Sequence, residues 1–322
     1  WRGRAGTGGL MTGACLLVAL AVVATPADGL PAAPVTALAF APDGTSVLAA
    51  TPHEVAELSW PELKLRRKIV ADLNHVHDLA FAPRGKALAI AGGKPGESGR
   101  VALVSWPEGM PREPIDAGSD VIYRAAWFPD GSKLALACAD KCVYVAAPGG
   151  HAELTFQEHS APVLSAIVIP LANRLLLLSG GRDQTIRVWN ADQSDKSLRS
   201  FDNHTAAVYD LALRPAADDL PPIVASAGAD RTVRFWQPTI GRMLRFSRLA
   251  SPPLAVCWTA DGQQVCAACQ DGRVRIVELQ TARVVAEHDA IDGWAHSIIL
   301  APDGKSILVG GEGGQLKVIT QH

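Results

Sequence analysis

The sequence predicts an all-β fold made of seven similar units, and three observations support this prediction. Seven stretches of the 322-residue chain share an alternating apolar pattern that ends in Pro or Ala, and these end points lie 41 to 46 residues apart. Asp-Gly often follows, and Gly suits a tight turn there because it accepts a positive φ. No long segment has the 3.6-residue apolar period of a helix. The seven stretches are "VTALAFAPDG" (35–44), "VHDLAFAPRG" (76–85), "IYRAAWFPDG" (122–131), "VLSAIVIP" (163–170), "VYDLALRP" (208–215), "PLAVCWTADG" (253–262) and "AHSIILAPDG" (295–304).

Each unit divides into four short strands, named a to d in chain order. Strand a is the alternating stretch, and a turn leads to strand b, such as "SKLALACA" (132–139). A second turn leads to strand c, such as "TIRVWN" (185–190), and a variable strand d ends the unit. A period in the low forties with short strands is typical of the blades of a β-propeller. We therefore expect a seven-bladed β-propeller of four-stranded antiparallel blades over residues 28–322.

Units four and five share a further set of polar residues. "RDQTIRVWN" (182–190) and "ADRTVRFW" (229–236) each carry an Asp and, six residues later, a Trp. Together with the His-x3-Val pattern at the start of strand a, these stretches resemble the WD40 repeat. The resemblance covers about residues 35–322, although the other five units lack the His. It implies a structural hydrogen-bond tetrad in each of the two units. The implied members are His159, Ser179, Asp183 and Trp189 in unit four, and His204, Ser226, Asp230 and Trp236 in unit five.

A His, a Ser and an Asp are also the side chains of a hydrolase triad. Here the Ser lies inside a predicted strand, without the sequence of a nucleophile elbow, and the set occurs twice. A buried Asp needs hydrogen-bond donors, and an imidazole, a hydroxyl and turn amides can supply them. We therefore predict that both sets stabilise the fold and that no residue of the chain is catalytic.

The resemblance also implies a ring of side chains at the mouth of the central channel. In WD40 relatives the residue after the first apolar residue of strand a often faces this opening. The matching positions here are Thr36, His77, Tyr123, Leu164, Tyr209, Leu254 and His296. Tyr and His combine a rigid apolar body with a polar tip, so we expect His77, Tyr123, Tyr209 and His296, with Trp294 close by, to bind a partner. The alternative is that these side chains only plug the channel mouth.

Composition and resemblance together favour a non-catalytic interaction scaffold. The formal net charge is −2 and no Lys/Arg cluster stands out, which gives nucleic acid little support as a partner. We expect a protein or peptide partner at the top face, no cofactor, no metal site, a monomer and no integral membrane segment. The resemblance extends to exported bacterial WD40-repeat proteins and points to a cell-envelope redox partner. The alternative is a propeller enzyme of the lactonase or quinone-dependent dehydrogenase type, which would require channel-facing carboxylates or metal ligands that the ring lacks.

The cysteines and the cations of strand c allow two interpretations each. Cys266 and Cys269 lie three residues apart in a predicted strand, so they point to opposite faces and suit small core positions. Cys138 and Cys142 flank one hairpin and either pair or stay free thiols. Strand c carries cations at matching positions, interpreted as a solvated face or, alternatively, a contact for an acidic partner: Arg187, Arg234, Arg275 and Lys317. The insert "GGKPGESGR" (92–100) is expected to lengthen the b–c loop of blade two.

The first 27 residues are predicted to be a signal peptide or N-terminal extension. Residues 14–24, "ACLLVALAVVA", form an apolar run that is too short to span a bilayer but suits a secretory signal. We therefore expect a periplasmic or secreted protein, with a cytoplasmic one as the alternative. The same region competes for a second role, because the last unit supplies three strands and the repeat spacing puts a closing fourth strand near residues 19–28.

N-terminal sequencing of the mature protein distinguishes these two roles. The small-x-Ala pattern allows cleavage after Ala24 or after Ala27, and cleavage after Ala24 leaves a short piece such as "TPADGL" (25–30) for a partial closing strand. A mature protein that retains residues 17–24 intact would contradict export.

Overall fold

The computed structural model is a closed ring of seven four-stranded antiparallel blades, which confirms the predicted fold class. It describes residues 25–26, 29–193, 196–215 and 220–320. The N-terminal strand β1 (Thr25–Pro26) belongs to the last blade. Blade one contains β2 (Ala37–Phe40), β3 (Ser46–Ala50), β4 (Val55–Ser59) and β5 (Leu65–Ile69); blade two contains β6 (His75–Phe81), β7 (Ala87–Lys94), β8 (Ser98–Ser105) and β9 (Pro111–Asp116); blade three contains β10 (Ile122–Trp127), β11 (Leu134–Cys138), β12 (Val143–Ala146) and β13 (Ala152–Phe156).

The remaining blades repeat this order from strand a at the channel to strand d at the rim. Blade four contains β14 (Val163–Leu171), β15 (Arg174–Gly181), β16 (Ile186–Asn190) and β17 (Arg199–Phe201), and blade five contains β18 (Val208–Leu213), β19 (Val224–Gly228), β20 (Thr232–Gln237) and β21 (Arg242–Arg248). Blade six contains β22 (Pro253–Trp258), β23 (Gln264–Cys269), β24 (Arg273–Glu278) and β25 (Val284–Asp289). Blade seven contains β26 (Ala295–Leu300), β27 (Ser306–Gly311) and β28 (Gln315–Thr320), and a short 3-10 turn (Glu312–Gly314) joins β27 to β28. Within the described ranges, no helix is long and apolar enough to cross a membrane.

The hydrophobic core lies between neighbouring blades. In the described part of the chain, seven apolar clusters fill the seven blade interfaces. Strand b is buried on both faces, which explains why it is a continuous apolar run rather than an alternating one. Leu48 of β3 and Leu134 of β11, for example, are fully buried. Each blade therefore depends on both of its neighbours for burial.

The N-terminus closes the ring. Thr25 lies opposite Leu316 and Pro26 opposite Gln315, so β1 adds antiparallel to β28 as the fourth strand of blade seven. This partial closing strand begins directly after Ala24. Residues 1–24, which include the apolar run and Cys15, lie outside the described residues, so export and the domain boundary at residue 27 stay predictions.

The structure brings together all four members of each implied tetrad. In blade four, His159 Nδ1 lies 2.9 Å from Asp183 Oδ2, and His159 Nε2 lies 2.8 Å from Ser179 Oγ. The indole N–H of Trp189 donates to the same Ser oxygen at 2.9 Å. In blade five the three matching distances are 2.9, 2.7 and 2.8 Å. The set links the loop before strand a to strand b, the b–c turn and strand c of one blade.

Hydrogen bonds fix the ionisation state of the turn aspartate. Asp183 accepts the Ser160 amide at 3.0 Å and the Thr185 hydroxyl at 2.9 Å besides the His159 ring. Burial alone would raise the pKa of Asp183, but the hydrogen bond from His159 and the other donors outweigh it and hold this pKa at about 2. The carboxylate is thus charged, buried and fully used by the fold.

Blades three and six have no such His and satisfy the turn aspartate in other ways. Asp140 accepts the Tyr144 hydroxyl at 2.8 Å and the Ser119 amide at 2.9 Å. Asp271 accepts two hydrogen bonds from Arg275, at 3.0 and 2.7 Å. Tyr144 and Arg275 each lie four residues after their Asp, on strand c. A strand-c donor therefore takes over the role of the histidine.

This pairing corrects the interpretation of the strand-c cations. Arg234 and Arg275 keep only 9% and 3% exposure, so a solvated face is wrong for both. Arg234 forms an ion pair with the tetrad member Asp230 at 3.2 Å, and Arg187 forms an ion pair with Glu158 at 2.9 Å. The sequence showed matching charges on one strand but not the acids that face them.

The insert of blade two is also different from the prediction. Residues 92–100 extend the β7–β8 hairpin, with Lys94 opposite Ser98, and do not form a long loop. The turn is fixed to blade three, because the Gly96 amide donates to Asp120 at 2.9 Å.

The tetrad predicts a large stability loss on removal of its aspartate. Asp183→Ala should lower the free energy of unfolding by about 2–4 kcal/mol, because several buried donors lose their acceptor at once. Urea titration followed by tryptophan fluorescence measures the change. Asp43→Ala, in the exposed a–b turn of blade one, is the control and should cost less than about 1 kcal/mol. Equal losses in the two variants would contradict the structural role.

Candidate functional site at the mouth of the central channel

The seven a strands line a central channel with a cavity of about 830 Å³. Every predicted ring position lies on its wall: Thr36, His77, Tyr123, Leu164, Tyr209, Leu254 and His296. Trp294 is not a wall residue but lies beside His296, with 5.9 Å between ring centroids and 43% of its surface exposed. The structure thus brings the five predicted partner-binding residues to one end of the ring.

A β-bulge places six of the seven ring side chains. In blade three, Ile122 opposes Cys138 and Arg124 opposes Ala137, so Tyr123 is the extra residue with no partner on strand b. Blades two, four, five, six and seven have the same shift, and the extra residues are His77, Leu164, Tyr209, Leu254 and His296. A bulge removes one residue from the ladder and turns its side chain away from the normal alternation. The ring is therefore a consequence of strand register.

The mouth is aromatic, and its histidines are neutral at pH 7. The rings of His77 and Tyr123 meet edge to face with 4.9 Å between centroids. Burial, helped by the nearby His75, lowers the pKa of His77 to about 4. Burial also lowers the pKa of His296 and raises the pKa of Tyr123. The Nε2 atom of His296 is buried without a hydrogen-bond partner among the described residues. The mouth therefore offers ring faces and neutral polar tips.

Arg124 lies next to the ring, one residue further along strand a. Its Nε is 3.6 Å from Asp78 Oδ2 of blade two, and its Nη1 is 3.4 Å from Asp210 Oδ1 of blade five. The two buried carboxylates also accept backbone amides of the following blades, from Ala125 at 2.9 Å and Val256 at 3.0 Å. The Arg124 side chain keeps 38% exposure and lines the channel. One guanidinium thus connects blades two, three and five across the channel.

These two channel carboxylates were not expected from the ring. The ring positions themselves carry no carboxylate, but Asp78 and Asp210, each one residue after a ring position, line the channel. The signal was available, since "VHD" (76–78) and "VYD" (208–210) share an Asp after the ring residue. In the part of the chain that the structure describes, no group of three or more His, Cys, Asp and Glu side chains could hold a metal ion.

The cysteines take mainly core positions. Cys266 and Cys269 are both fully buried, and burial raises the pKa of Cys269 to about 11. Cys138 and Cys142 are free thiols, and the buried Cys138 Sγ donates to the Asp120 carbonyl at 3.1 Å. The spacing did not reveal that Cys266 lies directly opposite Cys257 on the neighbouring strand.

Removing Arg124 should destabilise the ring in a pH-dependent way. Arg124→Met is expected to lower the free energy of unfolding at pH 7 by about 3–5 kcal/mol, because Asp78 and Asp210 stay buried without a counter-charge. Burial already raises the pKa of Asp78, and Arg124 opposes this rise. Loss of Arg124 therefore makes the folded variant bind protons more readily than the unfolded chain, so the variant should recover stability as pH falls from 7 to about 5.

Urea titration at both pH values measures this loss. Arg124→Met combined with Asp78→Asn and Asp210→Asn is the control and should recover most of the stability at pH 7. A loss that is the same at both pH values, or that persists in the triple variant, would contradict the ion-pair explanation.

Comparison with known proteins supports the assignment of these blades. The family model "WD domain, G-beta repeat" matches residues 150–190, 195–237 and 250–278. Each matched range ends with strand c of blade four, five or six. The first two include the complete tetrads, so the match follows the residues that hold the blades together.

Curated relatives carry the same type of repeat. The chain is 32% identical over 143 residues to an uncharacterized WD repeat-containing protein of Schizosaccharomyces pombe, covering 42% of the chain and 22% of that protein. It is 34% identical over 109 residues to coronin-7 of Bos taurus, covering 32% and 12%. It is 29% identical over 147 residues to the anaphase-promoting complex subunit cdc20 of Dictyostelium discoideum, covering 41% and 27%. The matches thus span about an eighth to a quarter of the length of these relatives.

Four observations point to the same type of repeat: the sequence period, the complete ring of blades, the two tetrads and the stretches that the family model matches. The relatives above are eukaryotic, so the resemblance to exported bacterial proteins stays a prediction. With seven four-stranded blades, and with three stretches of its central part matched by the WD-repeat family model, the chain is a seven-bladed β-propeller that contains WD40 repeats.

Proposed function

We propose that this propeller is a non-catalytic scaffold that binds a protein or peptide segment at the mouth of its channel. WD40 propellers are generally protein-interaction scaffolds. The observation that carries the proposal is the ring itself, in which bulges bring His77, Tyr123, Tyr209 and His296 to the wall of a cavity of about 830 Å³. Bulges next to a strand end commonly re-aim side chains at binding sites.

The chemistry of the mouth suggests what it binds. His77 and His296 are neutral at pH 7, so the ring suits an apolar or aromatic side chain with a neutral polar group more than a charged one. The unpaired Nε2 of His296 gains a hydrogen bond if a partner offers one. Binding at this site should therefore depend only weakly on salt.

A catalytic propeller would need the channel carboxylates for chemistry. Asp78 and Asp210 are already used by Arg124 and by backbone amides of the next blades. We therefore favour the scaffold over the enzyme. We further propose that the scaffold is monomeric and that it acts in the periplasm or outside the cell. The apolar run at residues 14–24 supports this location. The proposal that the partner is a cell-envelope redox protein rests on the resemblance to exported proteins.

The ring should be required for partner capture. The triple substitution of Tyr123, Tyr209 and His296 to Ala removes three ring side chains and should abolish capture of the partner that the wild type retains. Quantitative mass spectrometry of pull-downs from the native host compares the two baits, and urea titration checks that the variant stays folded.

The matched control substitutes exposed apolar residues at the other end of the ring. Met110 and Ile240 lie in or beside c–d turns and keep 63% and 59% exposure, and Met110→Ala with Ile240→Ala should leave capture unchanged. Equal capture by wild type and the folded triple variant would remove the proposal and leave the ring as a structural plug.

A further inference from the structure

A basic surface lies on the rim of blade five, away from the channel. The outermost strand of this blade, β21, has the sequence "RMLRFSR" and exposes Arg242, Arg245 and Arg248. We call the surface formed with two neighbouring arginines and one aromatic residue the β21 surface. Its members are Arg199, Arg231, Arg242, Arg245, Phe246 and Arg248.

The two additional arginines reach the ends of β21 from other segments. Arg231 lies beside the end of the strand, because its carbonyl accepts the Leu249 amide at 2.8 Å. Arg199 of blade four packs against Gly241, just before the strand begins, where an added Cβ would lie 2.9 Å from the Arg199 Nε. Five arginines of a chain with net charge −2 thus follow one strand.

Among the described residues these arginines have no counter-ion, unlike the cations of a comparable outer strand. On β5 of blade one, Arg67 pairs with Glu57 at 2.6 Å and Lys68 pairs with Glu54 at 2.8 Å. None of the five arginines of the β21 surface forms an ion pair with any residue that the structure describes. Charged side chains protect a free sheet edge from aggregation. On β5 the charged side chains that serve this purpose are paired with acidic residues of the same blade. The β21 surface is left with positive charge for an external anion.

Phe246 gives this surface an apolar anchor at its centre. The residue is 50% exposed, and the guanidinium of Arg234 lies 5.3 Å from its ring centroid. Arg234 is itself held by Asp230 at 3.2 Å. A cation–π contact thus holds one part of the Phe246 phenyl ring, and the rest of this phenyl ring is open to solvent. Rigid aromatic side chains of this kind are common anchors of interfaces.

We propose that the β21 surface binds an extended acidic segment of a partner protein, which adds to blade five as a fifth strand. The free edge of β21 offers backbone donors and acceptors, as in other cases of strand addition. The arginines form charge-assisted hydrogen bonds with Asp or Glu side chains, and Phe246 contacts an apolar residue between them. Single-stranded nucleic acid fits less well, because it stacks on successive aromatic platforms and this surface has one. The site is separate from the channel mouth and does not depend on its function.

Fluorescence anisotropy with a defined probe tests the charge requirement. The probe is a fluorescein-labelled peptide of alternating Glu and Val, about ten residues long to exceed the length of a typical strand, titrated with the full chain. We expect binding at about 50 mM salt that weakens at least about tenfold at about 500 mM salt. Arg242→Glu with Arg245→Glu and Arg248→Glu should also weaken it at least about tenfold.

A single charge reversal has a matched control. Arg245→Glu should weaken binding by about threefold or more, whereas Arg112→Glu, at an exposed arginine on the outer strand β9 of blade two, should leave it unchanged. Equal effects of these two variants, or no binding of the peptide to the wild type, would overturn the proposal.

A second probe distinguishes strand addition from simple charge attraction. The same peptide with every backbone amide N-methylated keeps every carboxylate but loses the backbone donors of both strand edges, and it should bind at least about tenfold more weakly. Equal binding of both peptides would overturn strand addition. Phosphatidylserine vesicles and polyuridylate are tested alongside, and tighter binding of either one, lost in the triple arginine variant, would overturn the choice of a protein segment.

Discussion

Closure of the ring is the constraint on which the rest of this structure depends. Each blade is covered on both faces only when it has a neighbour on each side, and the seven apolar clusters lie at these shared faces. The pairing of β1 with β28 joins the first and the last described strands in one sheet. Strand b can vary in sequence as long as it stays apolar on both faces, which explains why the repeats are recognisable mainly by pattern and period.

A second constraint acts at the b–c turn of the blades that carry an aspartate there. Its carboxylate needs donors, but the fold does not require one residue type to supply them. His159 and His204 do so in the two blades with a complete tetrad, Tyr144 does so in blade three, and Arg275 does so in blade six. The histidine that identifies a WD40 repeat in sequence is thus one of several physical solutions. Blades without it keep the same architecture, and the family model matches one of them, blade six.

The sequence predicts the features that follow from period and register, and misses those that arise between blades. The seven ring positions were predictable because they occupy a fixed place at the start of strand a, where six of them are bulge residues. Arg124 was not, since its partners lie about 46 and 86 residues away in two other blades. The burial of Arg275 depends on Asp271 and Glu287, which a linear comparison of strand c does not show. The β21 surface combines β21 with Arg231 of a turn and Arg199 of β17. Four of its five arginines lie within residues 231–248, so the sequence contained this cluster and the low net charge drew attention away from it.

The two proposed surfaces differ in chemistry in a way that suits a scaffold. The channel mouth is neutral and aromatic, so contacts there depend on shape and on individual hydrogen bonds. The β21 surface is cationic and lies at a free sheet edge, so contacts there depend on charge and on an extended partner conformation. Because one is reached from the end of the ring and the other from its rim, occupation of one leaves the other open. Two segments of one partner chain could then bind together, and the second contact would be intramolecular, which raises the overall affinity without further contacts.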